Sequence, residues 1–250
     1  MIAHLTYKTV SDNPVIIVPG SKSESNRLLI LKGIFPNLLI DNLSNSDDTI
    51  SLLKGIEQID GIVDVHHAGT AMRFLTAYFA SKKGVDIIIT GSKRMQERPI
   101  RILVEALKDL GADIHYLKNE GFPPLKIIGK NLNISSVTLN AAISSQYISA
   151  LMLMAPALKN GLTINLEGEI TSVPYIKMTL NLMQKAGISG SFNTNIIQIK
   201  PTNTIDSSRL KVESDWSSAS YYYSIIALSS NLEVTLNNFT KNSIQGDSKI

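Results

Sequence analysis

The chain repeats itself. From Ala68 it reads AGTAMRFLTAYFASKKG, VDIIITG and SKRMQERPIRILVEALKDLGADIHYL; from Ile143 it reads ISSQYISALMLMAPALKNG, LTINLEG and EITSVPYIKMTLNLMQKAGISGSF. Gly84 matches Gly161 and Gly91 matches Gly168 at a spacing of 77 residues, and Gly111 matches Gly187 at 76. Each copy reads as helix, glycine, strand, glycine, loop, second helix, glycine, strand. Self-similarity at a fixed period marks an architecture of like units, and the mixture of elements makes it an α/β one.

The elements are legible one by one. Ile100, Leu103, Val104, Leu107 and Leu110 recur at helical spacing, with Arg101, Glu105 and Lys108 on the other side. Gly111 follows where a helix C-terminal cap belongs. Val85, Ile87 and Ile89 alternate with Asp86, Ile88 and Thr90 as a largely buried strand does, and Thr163 to Leu166 repeat the pattern. Met72 to Phe79 are apolar almost all round, which predicts a buried helix.

An earlier unit is written in SKSESNRLLILKGIF, the strand LLIDNL and a helix opening at Ser46-Asp47-Asp48. A later one begins with DWSSASYYYSIIALSS, continues with the strand LEVTLNNF and reaches IQGDSKI. By analogy with the earlier copies, a further helix and strand are expected after it, so the chain reads as part of a longer architecture.

Composition narrows the chemistry. With no cysteine, disulfide scaffolds, cysteine-bound zinc and thiol nucleophiles are excluded. A net charge of +3 is mild beside the dense basic stripe of a nucleic-acid binder, and aromatics at 6% do not supply stacking platforms between Lys and Arg. The longest apolar stretch, Ile148 to Leu158, is too short to span a bilayer and holds a proline. The N-terminus lacks a signal-peptide pattern, so the expected compartment is the cytoplasm. His4, His66, His67 and His115 show no ligand spacing on one helix face, and no metal is expected.

Each unit's first helix opens on small hydroxyl residues or glycine: Ser21-Lys22-Ser23, Gly69-Thr70, Ser144-Ser145-Gln146 and Ser217-Ser218. Helix N-termini expose unpaired N–H groups and partial positive charge, which suits a phosphate or carboxylate. For any one cluster taken alone, capping the helix is the simpler reading. PGSKSESNR goes further: Lys22 sits just before the helix, and Arg27 lies about one turn beyond Ser23 on the same face, a point charge and a planar fork aimed at one spot. The GxxxxGK[ST] spacing of a phosphate-binding P-loop is missing. KRMQERP, with Lys93, Arg94 and Arg98 against Glu97, fits a solvated basic loop as well as a binding one. Gly69 at a helix start permits close backbone approach.

Together these motifs resemble those of the 5-enolpyruvylshikimate-3-phosphate synthase family. PGSKSESNR resembles its PGSKSxSNR, AGTAMR its NAGTAMR, RMQERP its RMxERP, SSQYISALMLMAP its SSQFxSALLMAAP, SVPYIKMTLNLM its SxPYIxMTxxLM, and QGD its later QGD, all in family order. The resemblance implies an inside-out α/β fold, each barrel-like lobe built of three repeated βαβαββ units. Residues 14–213 would form one complete lobe, and 1–13 and 214–250 part of a second. It implies transfer of the enolpyruvyl group of phosphoenolpyruvate to the 5-hydroxyl of shikimate 3-phosphate with release of phosphate, in the shikimate pathway to aromatic amino acids. No cofactor, metal, nucleic acid or membrane partner is implied, and the full-length protein would be monomeric.

Carried over by position, Lys22 would touch both substrates and serve in proton transfer. Ser23 and Arg27 would hold shikimate 3-phosphate by its ring hydroxyls and carboxylate; Ser144, Ser145 and Ser172 would grip its phosphate; Gln146 would lie between the substrates and Tyr175 would line the pocket. His67, Gly69 and Arg94 would receive phosphoenolpyruvate with Lys22 and Gln146. The family's catalytic Asp and Glu would lie beyond residue 250. Three positions depart from the pattern: His67 where asparagine is frequent, Phe74 where proline is usual, and Trp216 in place of a small residue. The sister enzyme acting on UDP-N-acetylglucosamine shares the fold, but SKSESNR and the absence of cysteine argue against it. A non-catalytic anion-binding lobe is the other alternative.

Overall fold

A computed structural model describes residues 14–142, 144–171, 173–206, 208–229 and 232–249. Readings that fall on residues 1–13 and on Ser172 therefore lie outside the described residues. β1 (Val15–Ile16), α1 (Lys22–Ile34), β2 (Leu39–Asp41) and α2 (Asp47–Ile56) come first. The first full unit follows: β3 (Asp60–Asp64), α3 (Gly69–Ala80), β4 (Asp86–Thr90), the short α4 (Lys93–Gln96), α5 (Arg101–Asp109), β5 (Asp113–Tyr116) and β6 (Leu125–Ile128). The second comprises β7 (Ser136–Asn140), α6 (Ser145–Met154), β8 (Leu162–Glu167), α7 (Val173–Lys185), β9 (Gly190–Asn193) and β10 (Ile196–Ile199). β11 (Arg209–Lys211), α8 (Trp216–Ala227) and β12 (Thr235–Leu236) close the order.

The repeat in sequence is a repeat in hydrogen bonding. One sheet runs β3-β4-β6-β5 and the other β7-β8-β10-β9, each with a parallel first pair and two antiparallel pairs. The earliest unit differs from a full third copy. Its strand β2 pairs in parallel with β11, which arrives only after both other units. β1 pairs with β12, and a bridge between Gly20 and Ser214 ties the two places where the chain passes between these parts.

Helices occupy the middle. In α3 all residues but Thr70 are buried, in α6 Tyr147 to Met154 are buried, and in α1 Glu24 to Leu31 are buried. A helix apolar all round has no face to offer water, so it goes inside. The sheets, with one apolar face each, form the outer layer: on β3 Val63 is buried while Ile62 is 70% exposed. Among the described residues they remain separate sheets and do not close into a barrel. No described helix is long and apolar enough to cross a membrane.

Matched glycines serve different ends. Gly84, Gly111, Gly161, Gly168 and Gly187 have positive φ, where a side chain is strained. Gly91, the counterpart of Gly168, does not; a side chain there would collide with the His66 carbonyl and Met95. At Gly84 an added Cβ meets nothing, whereas at Gly161 it would run into the Ile199 carbonyl. Gly84→Ala is expected to cost about 1 kcal/mol and Gly161→Ala about 2 kcal/mol in urea unfolding. Equal losses would contradict the close approach at Gly161.

Candidate anion-binding site

The N-termini of α1, α3 and α6 open onto one cavity of about 300 Å³. Lys22, Ser23, Asn26 and Arg27 come to it from α1, Thr70 and Phe74 from α3, Ser144, Ser145 and Gln146 from the start of α6, Tyr175 from α7 and Ser217 from α8. The two hydroxyls that open α1 and α6 are used locally. Ser21 accepts from the Glu24 N–H at 3.5 Å and Ser144 from the Gln146 N–H at 3.4 Å, so both cap their helices. At α8 it is Asp215, not a serine of the cluster, that caps, accepting from Ser218 N–H at 2.8 Å. α3 has no side-chain cap.

Lys22 is the first residue of α1 rather than the one before it, and its backbone N–H donates to Asp215 at 3.2 Å. Its side chain is left to line the cavity. Arg27, five residues on, is only 3% exposed. Its Nε donates to Thr179 Oγ1 at 2.8 Å, Nη1 to the Ser23 carbonyl at 2.8 Å and Nη2 to Ser149 Oγ at 3.0 Å. The rings of Phe74 and Tyr175 each lie 5.6 Å from the guanidinium carbon, so the departure at Phe74 supplies an aromatic contact. Burial pushes Arg27 down to about 10, which leaves it charged at neutral pH. Among the described residues it forms no ion pair. The groups bonded to this buried cation are all neutral, and the Glu24 charge favours it from outside contact distance.

A second hollow of about 590 Å³ is lined by His67, Ser92, Arg94, Met95 and Arg98. The residues expected to receive phosphoenolpyruvate are thus split: Lys22 and Gln146 face the first cavity, His67 and Arg94 the second. Gly69 and Thr70 stand between. Thr70 lines the first cavity and accepts from Gln146 Nε2 at 3.4 Å, while Arg98 crosses so close to Gly69 that a side chain there would strike its guanidinium. The glycine therefore makes room for an arginine of the KRMQERP segment. Arg73 and Tyr147 both donate to the Pro99 carbonyl, at 3.3 and 2.7 Å, anchoring the end of that segment. His67 stacks edge-on with His66 and reaches Asp47 at 3.3 Å.

Behind the cavity lies a knot of carboxylates. Glu24, 3% exposed, accepts from Gln245 Nε2 at 3.0 Å and from the Glu213 N–H at 3.4 Å. Burial, reinforced by the Glu213 charge, pushes its carboxyl up to about 7. Glu213 in turn takes Trp216 Nε1 at 2.9 Å, Thr240 and Ser243, so the departure at Trp216 is a bond to this knot.

Asn26 and Phe74 join the cavity beyond the residues expected there, Thr70 and Ser217 reach it from helix-start clusters visible in the sequence, and Ser149 and Thr179 stand behind Arg27. The signal for the last two was present: single hydroxyls inside apolar helical runs, where a buried polar group needs a partner.

Fold and cavity together define an α/β protein with central helices, three of whose N-termini meet at a cavity lined by Lys22 and Arg27. A sequence model of the EPSP synthase (3-phosphoshikimate 1-carboxyvinyltransferase) family matches residues 51–250, and the chain belongs to that family. A 3-phosphoshikimate 1-carboxyvinyltransferase of Bacteroides fragilis is 48% identical over 238 residues, covering 94% of this chain and 57% of the relative. One from Vibrio campbellii is 37% identical over 260 residues, covering 92% and 60%. The solved EPSP synthase of Acinetobacter baumannii superposes with a TM-score of 0.77 at 19% identity, over 93% of this chain and 57% of that one. The chain thus spans somewhat over half the length of these relatives.

Proposed function

We propose that the chain contributes the shikimate 3-phosphate side of an enolpyruvyl transferase that works in the cytoplasm. The reaction joins the enolpyruvyl group of phosphoenolpyruvate to the 5-hydroxyl of shikimate 3-phosphate. C3 of the enol takes a proton as the hydroxyl oxygen bonds to C2 and gives up its own proton to a base; loss of phosphate from C2 and of a proton from C3 then regenerates the double bond. The curated relatives carry the name of this activity rather than that of the UDP-N-acetylglucosamine enzyme.

The observation that carries the reading is Arg27, a charged guanidinium in the cavity wall that, among the described residues, bonds to no carboxylate. It takes the ring carboxylate, with Tyr175 against the ring. Ser144 and Ser145, at the α6 N-terminus, take the phosphate, together with Ser172. Ser23 bonds a ring hydroxyl. Lys22 meets both substrates and handles a proton, and Gln146 bridges toward Thr70 and Gly69. Phosphoenolpyruvate lies toward His67 and Arg94, past that turn. In this reading residues 14–213 make up one lobe, and 1–13 and 214–250 belong to a second; the Gly20–Ser214 bridge at the crossing supports that division.

Calorimetric titration of the chain with shikimate 3-phosphate is expected to give saturable binding with unit stoichiometry, weaker for shikimate and weaker again for inorganic phosphate. Equal affinity for shikimate 3-phosphate and phosphate would reduce the cavity to an unspecific anion site and overturn the reading.

A further inference from the structure

Two hydroxyls behind Arg27 form a chain whose direction is determined. The Tyr175 carbonyl can only accept, so Thr179 spends its single proton there, at 2.7 Å. Thr179 Oγ1 is then an acceptor for both Arg27 Nε at 2.8 Å and the Ser149 hydroxyl at 3.1 Å. Ser149, having donated, accepts from Arg27 Nη2 at 3.0 Å. Every proton in the ring is assigned, and both hydroxyls are fully buried. The ring joins α1, α6 and α7, and Thr179 holds the same helical turn that presents the Tyr175 ring to Arg27.

A guanidinium has five N–H donors. Thr179, Ser149 and the Ser23 carbonyl take three, one from each nitrogen. One N–H on each terminal nitrogen is left, the pair that a carboxylate engages in a two-pronged bond. A buried arginine could instead swing about its side-chain torsions, and neither aromatic ring would stop rotation in its own plane.

We propose that Ser149 and Thr179 are positioning residues that set the plane and rotation of the Arg27 guanidinium, so that its two free N–H groups meet the carboxylate of a cyclic hydroxy-acid ligand. The ligand's identity rests on the function proposed above; the positioning does not.

The test uses Thr179→Val, which exchanges a hydroxyl for a methyl of like shape, Ser149→Ala, and the conservative Thr179→Ser. Two readouts are taken. The first is the Arg27 Nε–H resonance, assigned by its loss in Arg27→Met: a sharp, exchange-protected signal is expected in the wild-type protein and in Thr179→Ser, and a broadened or absent one in Thr179→Val. The second is affinity for shikimate 3-phosphate against an analogue lacking the carboxylate. Thr179→Val and Ser149→Ala are expected to weaken the former about tenfold, with less than about twofold change for the analogue. An unchanged Nε–H signal in Thr179→Val, or equal losses on both ligands, overturns the positioning role. A wild-type protein that binds neither ligand while the Nε–H signal behaves as expected would sink the functional reading and keep the positioning.

Discussion

Arg27→Met is expected to weaken binding of a carboxylate-bearing ligand by about 100-fold or more while changing the melting temperature of the ligand-free protein little. Both outcomes follow from one guanidinium. Two charge-assisted hydrogen bonds to a desolvated carboxylate are worth about 1.5–3 kcal/mol each, so their loss comes to at least about 3 kcal/mol. In the empty protein the same cation is a burden. Burial pushes Arg27 down from 12.5 to about 10, and a base whose folded value is lowered destabilises the fold at every pH below that folded value, so the cost is fully present at neutrality. That drop corresponds to roughly 3 kcal/mol against the charged form. Methionine keeps the apolar stem, stops short of the guanidinium position, and leaves Ser149 and Thr179 still bonded to each other. Against the gain stand the three charge-assisted bonds that Arg27 donates to Thr179, Ser149 and the Ser23 carbonyl, about 1.5 kcal/mol each, so gain and loss cancel to within about 1–2 kcal/mol. Scanning calorimetry and ligand titration on the same preparation check both effects. A fall of about ten degrees or more in the ligand-free protein, with ligand affinity unchanged, would mean that Arg27 is a structural tie rather than a ligand group.

The contrast between what α3 and α6 announce and what they conceal marks the reach of sequence reading here. Apolar residues on every side of Met72 to Phe79 leave a helix nowhere to go but the interior, and the two four-stranded sheets follow from spacings that repeat almost residue for residue. β2 pairing with β11 was not legible, because that contact depends on where the chain returns after both copies have folded. At the site, the clusters at helix starts were visible as clusters. Which hydroxyl caps and which faces the cavity is a matter of one torsion angle, and no spacing encodes it: Ser21 and Ser144 turn inward to backbone N–H groups, and Ser217 is relieved of capping by Asp215. Arg27 was recognisable by its place one turn after Ser23, yet that it meets no carboxylate among the described residues depends on how three helices pack, and the single hydroxyls Ser149 and Thr179 announce a need for a partner without saying which. That His67 and Arg94 line one hollow with Arg98 while Lys22 lines another was not legible either, because it depends on contacts such as that of Arg98 with Gly69, 29 residues apart in the chain.

The carboxyl of Glu24 makes the fold more stable in mild acid than at neutral pH, an effect that Glu24→Gln is expected to abolish. The groups facing it are Glu213, whose charge repels it, Lys185, whose charge attracts it, and Arg27, whose guanidinium feels the Glu24 charge, with the Glu213 N–H and the Gln245 amide bonded to its oxygens. The two hydrogen bonds and Lys185 favour the carboxylate; burial, the largest influence, favours the acid, and burial prevails. Unfolded, the group titrates near 4.5; folded, near 7. Between those values the folded protein holds a proton that the unfolded chain has released, so stability falls as pH rises through this window and then levels off. Below the unfolded value the penalty is absent. A glutamine stands in for the protonated acid at every pH: it keeps the bond from Gln245 and forfeits at most the long one from the Glu213 N–H. Glu24→Gln is therefore expected to come within one weak hydrogen bond of the wild-type protein near pH 4.5 and to exceed it at pH 8 by about 2 kcal/mol, the cost of charging the buried carboxyl less that bond. Carboxylates held low by partners, such as Asp113 beside Lys130 and His115, tilt the overall curve the other way, so the quantity to measure is the difference between variants. Urea midpoints for both proteins at pH 5 and pH 8 provide it. Parallel curves, with the same gap at both pH values, would show that Glu24 is charged throughout and that the knot at the crossing between α1 and residues 213–215 is an ion-bearing one.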